Sequence, residues 1–179
     1  MTKVSKIMDI GTGAGFPGVP LKIAFPHLEA CLLDSLKKRV NFLEETFALL
    51  KLENITAIHG RAEEFAKNKA YREQYDLCVS RAVSNLATLS EYCLPYVKVG
   101  GNFISYKSGT VQEELQQAEK AVKILGGKIQ DVVYFNLPDS EIQRSLVVIE
   151  KMKPTPGRYP RKAGTPLKAV SYTHLRAHE

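Results

Sequence analysis

The chain has 179 residues, of which 44% are hydrophobic, 25% charged and 8% aromatic, with a formal net charge of +6. This length predicts one domain with its own core, and the composition excludes disordered, collagen-like and fibrous proteins. No apolar run reaches the roughly 20 residues of a membrane-spanning helix, and residues 1–6 lack a signal-peptide core, so we expect a cytoplasmic protein without a membrane partner.

Short apolar runs alternate with helical patterns over the first 150 residues. The runs read as buried strands that end near Ile10, Asp34, His59, Ser80 and Tyr106. Apolar residues at spacings of three and four, from Leu36 to Leu50 and from Val111 to Leu125, indicate amphipathic helices. This alternation predicts an α/β fold with an open, mostly parallel sheet and helices on both faces.

The end of the chain follows a different pattern. Two apolar runs, Ile129–Leu137 and Leu146–Ile149, are separated by turn-forming residues and predict an antiparallel hairpin at one sheet edge. Prolines and glycines then indicate an extended loop. We therefore divide the chain into a domain of residues 1–152 and a tail of residues 153–170.

The positive charge lies after residue 150 and mostly in this tail, because acidic and basic residues balance over positions 1–150. Between Lys151 and Lys168 there are six basic residues and no acid. Such an appendage is typical of a protein that binds a polyanion, since each neutralised phosphate releases a counterion. A solvated basic tail is the alternative.

Metal binding is not indicated. The cysteines Cys31, Cys78 and Cys93 lack CxxC spacing, which argues against a zinc site and favours buried thiols. We predict no metal.

The segment Met8–Gly18 joins the first strand to the first helix and is rich in glycine. It permits two cofactor interpretations. Gly13-x-Gly15-x-x-Gly18 matches the dinucleotide fingerprint, and Asp34 follows at nearly the right distance. Asp9-x-Gly11-x-Gly13-x-Gly15 instead resembles the S-adenosylmethionine motif of class I methyltransferases, in which an acid suits a ligand with an ammonium and a sulfonium and would repel a pyrophosphate.

Residues after the next three strands complete the predicted site. Asp34 can accept hydrogen bonds from a ribose if Ser35 caps the following helix. Glu63, after the third strand, is a candidate partner for adenine. Arg81, after the fourth strand, lies at the pocket mouth, where it could orient a guanine edge or hold a phosphate.

Several segments together resemble the GidB/RsmG-type methyltransferases of small-subunit ribosomal RNA. They include Asp9–Pro17, Leu33–Leu43, Arg61–Glu63, Ser80–Val83 and Tyr159-Pro160-Arg161-Lys162-x-Gly164-Thr165-Pro166. The resemblance implies a class I fold with a seven-stranded sheet and transfer of a methyl group from S-adenosylmethionine to N7 of one guanine in 16S rRNA. It also implies cofactor contacts at Gly11, Phe16, Ala62, Glu63 and Arg81. Together with the glycine loop and the end of the second strand, the predicted cofactor-binding residues are Asp9, Gly11, Gly13, Gly15, Phe16, Asp34, Ser35, Ala62, Glu63 and Arg81.

The resemblance gives the basic residues a role as well. Arg158, Tyr159, Arg161 and Lys162 are predicted to contact RNA, with Lys107 as a weaker candidate, and the partner would be 16S rRNA or the small ribosomal subunit. Guanine N7 carries no proton, so we expect no general base. We expect a monomer.

Two departures from the family pattern shape the remaining expectations. The sequence lacks the helical segment that usually precedes the first strand, so we expect an N-terminally truncated chain that binds cofactor but turns over poorly. Residues 171–179 do not continue the pattern and are interpreted as a non-native scar. An NAD(P)-dependent oxidoreductase and a non-catalytic RNA-binding fragment are the alternative functions.

Overall fold

The structure is a computed structural model and describes residues 3–82, 84–162 and 164–166. In these residues the secondary structure consists of β1 (Lys6–Ile10), α1 (Gly18–Ala24), β2 (Glu29–Asp34), α2 (Lys37–Leu49), β3 (Ile55–His59), α3 (Ala62–Phe65), β4 (Tyr75–Ser80), α4 (Leu86–Cys93), a 3-10 turn (Leu94–Tyr96), β5 (Val97–Ser108), α5 (Gln112–Ile124), β6 (Gly127–Asn136) and β7 (Gln143–Lys151).

The seven strands form one sheet in the order β3-β2-β1-β4-β5-β7-β6. Strands β1 to β5 pair in parallel, whereas β7 runs antiparallel to both β5 and β6. This confirms the predicted parallel sheet with a hairpin at one edge. The strand order reverses between β1 and β4, and ligands of open α/β sheets bind outside the carboxyl ends of the strands at such a point.

Helices cover both faces of the sheet, as predicted. In β1, Ile7 packs in one apolar cluster with Val19 of α1 and Leu43 of α2. The next residue, Met8, faces the opposite way into a larger cluster that includes Leu89 of α4 and Val122 of α5. Alternate side chains of a strand point to opposite faces, so β1 is buried on both sides.

The predicted helical periodicities match α2 and α5, although their ends differ. Val40, Leu43 and Phe47 are the buried residues of α2, while Leu36 and Leu50 are half exposed. Leu36 occupies the N-cap position and no side chain caps α2, so the expectation that Ser35 caps this helix is wrong.

The described residues contain no helix with the length and apolar character that crossing a membrane requires. Cys31, Cys78 and Cys93 are buried thiols, as predicted.

The described part of the tail contains turns and bends and packs onto the domain. The Arg72 guanidinium donates hydrogen bonds to the carbonyls of Thr155 (2.8 Å) and Tyr159 (2.9 Å). Lys151 is fully buried, and its ammonium donates to Thr155 Oγ1 (2.7 Å) and pairs with Glu73 at 3.2 Å. These contacts fix the course of the tail from its first residues.

Candidate functional site

The glycine loop between β1 and α1 is anchored to the end of β2. The amides of Gly11 and Thr12 donate to the carbonyl of Leu33 at 2.9 and 3.2 Å. The Gly13 amide donates to Asp34 Oδ2 at 2.9 Å. Because Gly13 has a φ of +62°, a glycine suits this turn.

Gly15 has a different role in the loop. Its φ is +98°, and a Cβ there would lie 2.6 Å from Val19 Cγ2 and 2.9 Å from Leu43 Cδ2. The glycine therefore lets the loop approach α1 and α2 closely, behind the site rather than in it.

Asp9 organises the same loop from inside the protein. Its side chain is fully buried, and Oδ2 accepts hydrogen bonds from Thr12 Oγ1 (2.6 Å) and from the Gly18 amide (2.8 Å). Oδ1 has no partner among the described residues. Burial raises the pKa of Asp9 to about 6, although these two hydrogen bonds and the Arg81 charge oppose the shift.

This geometry weighs against the dinucleotide interpretation. A pyrophosphate in such folds binds free amides at the start of the first helix. Here the Gly18 amide is already bonded to Asp9, whose carboxylate would repel a phosphate.

Asp34 ends β2 as predicted, but it is not left free for a ribose. Oδ2 accepts from Gly13 and from Arg39, the latter at 3.4 Å, and Oδ1 accepts from the Leu36 amide at 2.9 Å. A carboxylate offers about four acceptor positions, so one remains for a ligand. The expectation that Asp34 is free for a ribose therefore holds for one acceptor position only.

A first cleft of about 500 Å³ opens at the carboxyl ends of β1, β2 and β4. Of the predicted cofactor residues, it is lined by Gly11, Asp34, Ser35, Ala62, Glu63 and Arg81. The lining does not include Asp9, Gly13 or Gly15, which shape the loop behind it.

Other lining residues of the first cleft were not predicted, among them Arg39 and Tyr92. Arg39 follows Asp34 by little more than one helical turn, and this spacing could have indicated it. Tyr92 belongs to α4, which is far in sequence from the glycine loop, and no local sequence pattern indicates that it lines the cleft. The tail borders this cleft, since the Gly164 amide lies 3.3 Å from Glu63 Oε1.

A second cleft of about 1000 Å³ adjoins the first and shares Arg81 and Ala82 with it. Phe16, predicted as a cofactor contact, lines this second cleft, and the Arg81 guanidinium lies 5.5 Å from the centre of its ring. The unpredicted lining residues include Asn85, which caps α4, and Tyr106, Phe135 and Arg144 from the antiparallel end of the sheet.

Two of the predicted RNA-binding cations already have partners in the fold. Lys107 Nζ lies 2.6 Å from Glu114 Oε1 and 2.7 Å from the Ser84 carbonyl. Arg161 forms an ion pair of 2.6 Å with Glu91, whose side chain is only 5% exposed.

The remaining predicted RNA-binding residues lie nearer the surface. The Arg158 guanidinium lies 5.1 Å from the ring centre of Tyr159, and Lys162 is exposed. Residues 171–179, interpreted as a scar, lie outside the described residues.

The donor groups of a metal centre are not brought together in the part of the chain that the structure describes. No three His, Cys, Asp or Glu side chains there are grouped closely enough to hold an ion.

Solved structures with this fold include P. horikoshii TYW2 in complex with MeSAdo and M. jannaschii TYW2 in complex with AdoMet. The first has a TM-score of 0.65 at 12% identity and matches 82% of this chain and 56% of that one. The second has a TM-score of 0.63 at 14% identity and matches 83% and 70%. These likenesses confirm the expected methyltransferase-type fold.

Sequence comparison is more specific. Residues 1–147 match the GidB family, described as rRNA small subunit methyltransferase G. Ribosomal RNA small subunit methyltransferase G of Lachnoclostridium phytofermentans is 57% identical over 162 residues, which are 90% of this chain and 67% of the relative. The Clostridium tetani protein of the same name is 54% identical over 90% of this chain and 68% of its own length. The chain thus spans about two thirds of these relatives and belongs to the GidB family of rRNA small subunit methyltransferases.

Proposed function

We propose that this chain transfers a methyl group from S-adenosylmethionine to N7 of a guanine in 16S rRNA. The observation that carries the proposal is the meeting of two clefts at Arg81 and Ala82, at the carboxyl ends of the parallel strands. Methyl transfer requires a donor and an acceptor in adjoining sites, and two clefts that meet at these residues can serve as such sites. Family membership supports the same reaction.

The residues of the first cleft fit the cofactor. Its volume lies within the range of roughly 300–1,000 Å³ that is usual for ligand sites. Asp34 retains one acceptor position for a ribose hydroxyl, and Ala62 and Glu63 provide backbone amides and a carboxylate for an adenine. The unpartnered Oδ1 of Asp9 provides negative charge behind the loop, which favours a cationic ligand. When bound, S-adenosylmethionine supplies an electrophilic methyl group.

The second cleft fits an acceptor that needs no deprotonation. Guanine N7 presents an in-plane lone pair, so the protein must position the base rather than remove a proton. Among the described residues that line this cleft there is no histidine or cysteine, and its carboxylate, Glu114, is paired with Lys107. Arg81, held over Phe16, can orient the base at the junction.

We further propose that the partner is the small ribosomal subunit or its RNA, that the chain acts as a monomer and that it works in the cytoplasm. Basic residues of the tail, Lys162 and Arg158, would add phosphate contacts. A fragment that binds RNA without catalysis is the alternative, and turnover distinguishes the two.

The test is methyl transfer from labelled S-adenosylmethionine to small subunits and to naked 16S rRNA, followed by mapping of N7-methylguanine. Calorimetry with S-adenosylhomocysteine and with NADH accompanies it. Saturable binding of S-adenosylhomocysteine with methylation at one guanine supports the proposal. Binding of NADH alone would contradict it. Binding of RNA and S-adenosylhomocysteine without turnover would support the alternative, a fragment that binds RNA without catalysis.

A further inference from the structure

The second cleft has a wall formed by one face of the antiparallel end of the sheet. Ser108 of β5 pairs with Arg144 of β7, and Arg144 pairs with Phe135 of β6. Two residues further along, Tyr106 pairs with Leu146 in the same way. Residues in register, and residues two apart on a strand, share a face of the sheet. The wall therefore presents two aromatic rings, a guanidinium and a hydroxyl on one surface.

The charge of this cleft is positive. Lys107 and Glu114 neutralise each other at 2.6 Å. Arg144 donates to the carbonyl of the adjacent Gln143, and in residues 3–82, 84–162 and 164–166 no carboxylate forms an ion pair with Arg144 or Arg81. Two guanidiniums that form no ion pair among these residues favour an anionic ligand.

The exposed rings indicate what else the ligand contains. Phe135 is 39% exposed and Phe16 is 48% exposed, and both line the cleft. Exposed aromatic faces beside cationic side chains are the combination that binds unstacked bases of single-stranded nucleic acid.

The positions of these residues along the strands also give the ligand an orientation. Tyr106 is the inner residue, because it is half-buried and lies two residues before Ser108, the exposed end of β5. Arg144 lies one row further out, about 7 Å along the strand direction. A base held near Tyr106 and Arg81 would thus place its sugar and phosphate toward Arg144.

We propose that the second cleft is a nucleotide site in which the target base lies near Tyr106 and Arg81, Arg144 binds a phosphate of the same strand and Phe135 stacks on a neighbouring base. This inference rests on the proposed function, because the methyl acceptor must occupy the cleft beside the first one. It assigns RNA contact to the β6–β7 hairpin, in addition to the predicted tail.

The experiment measures binding of a fluorescent single-stranded RNA that contains guanine, over a range of salt concentrations. The variants Arg144→Gln and Phe135→Leu are compared with two matched controls. Lys128→Gln removes an exposed cation from the other end of β6, and Tyr134→Leu removes a ring of similar exposure from the opposite face of that strand. S-adenosylhomocysteine affinity serves as the test of folding, and we expect it to stay unchanged in all four.

Arg144→Gln is expected to weaken RNA binding about tenfold or more, because one charge-assisted hydrogen bond is lost. It should also reduce the salt slope of log K by about 0.7, the contribution of one single-strand phosphate. Phe135→Leu should weaken binding about tenfold without changing the slope, as loss of a stacked base would. Both controls should bind like the wild-type chain.

The outcomes separate this inference from the proposed function. If the wild-type chain methylates rRNA while Arg144→Gln and Phe135→Leu keep its KM for RNA, the inference fails and the function stands. If the RNA binds as described but no methyl group is transferred, the nucleotide site stands and the function fails. Equal effects of each variant and its control, or no binding of the oligonucleotide to the wild-type chain, would also overturn the inference.

Discussion

Asp9 is a single residue that determines the shape of the glycine loop. One of its oxygens accepts hydrogen bonds from both the Thr12 hydroxyl and the Gly18 amide, and the other has no partner among the described residues. The motif Asp9-x-Gly11-x-Gly13-x-Gly15 predicts an acid facing the ligand. The structure instead places Asp9 behind the loop, where burial dominates its electrostatics.

This burial has a measurable consequence for the pH dependence of stability. The pKa of Asp9 is about 6 in the folded chain and near 3.8 when unfolded, so the folded state binds the proton more tightly. The stability that Asp9 contributes is therefore present below about pH 3.8 and is lost as the pH rises to about 6. This loss amounts to about 3 kcal/mol.

We expect Asp9→Asn to remove this pH dependence. Urea unfolding of both chains at several values between pH 4 and pH 7 measures it. The difference in unfolding free energy, wild type minus variant, should fall steadily over this interval. Parallel curves would contradict the assignment. Asp76 does not interfere, because hydrogen bonds from Ser5 and Lys6 lower its pKa to about 2, below the interval.

A second prediction compares two glycines of one loop. Gly13 and Gly15 both have positive φ, but only at Gly15 would a Cβ meet side chains of α1 and α2. Gly13→Ala should cost about 1 kcal/mol of unfolding free energy from backbone strain alone. Gly15→Ala should cost about 3 kcal/mol, because overpacking adds to the strain. Urea unfolding measures both, and equal costs would show that the loop relaxes around the added methyl group.

At the scale of elements, the predicted strands and helices match because their hydrophobic patterns are local. Val40, Leu43 and Phe47 repeat at helical spacing and are the buried face of α2. The helix cap could not be predicted in this way. Ser35 has the usual capping chemistry, yet no side chain caps α2. The Leu36 amide instead donates to the Asp34 carboxylate, and this depends on how the end of β2 meets the loop.

The tail illustrates a second limit of sequence reasoning. A run of basic residues predicts a solvated or RNA-binding segment, but a sequence pattern does not reveal which cation meets a buried acid. Arg161 donates from its backbone amide and its guanidinium to Glu91 of α4, which is nearly buried. This residue is therefore a structural anchor of the tail.

We expect Arg161→Gln to lower the unfolding free energy by about 2 kcal/mol, because Glu91 would keep its charge without its main partner. The adjacent Lys162→Gln is the matched control, since Lys162 is exposed, and should change stability by less than about 0.5 kcal/mol. Thermal or urea unfolding distinguishes them. Glu91→Gln combined with Arg161→Gln should recover part of the loss. A neutral effect of Arg161→Gln would mean that the ion pair does not hold the tail.

At the scale of the whole molecule, the order of the strands in the sheet determines where the site lies. The β-strand pattern predicts the parallel sheet and its hairpin, and the glycine loop predicts the first cleft. The second cleft was not predicted, because it brings Phe16 of the loop together with Phe135 and Arg144 of the hairpin, and only the fold makes them neighbours. Sequence alone thus locates the cofactor more readily than the acceptor.

Arg81 lies where the two clefts meet, and this position leads to the last prediction. Arg39 lines only the first cleft and Arg144 only the second, whereas Arg81 lines both. We therefore expect Arg39→Gln to raise the KM for S-adenosylmethionine alone and Arg144→Gln to raise the KM for RNA alone. Arg81→Gln should lower kcat/KM for both substrates, by about tenfold if one charged contact is lost on each side.

Steady-state methylation with each substrate varied in turn measures these effects, and the two single-cleft variants act as controls for each other. The reasoning is geometric, because a group that contacts both reactants contributes to their relative orientation as well as to their binding. Arg81→Gln should therefore reduce kcat as well, whereas the other two variants leave kcat near its wild-type value. If Arg81→Gln changed the KM for one substrate only, the donor and the acceptor would have to meet at another point of the sheet edge than the junction of the two clefts.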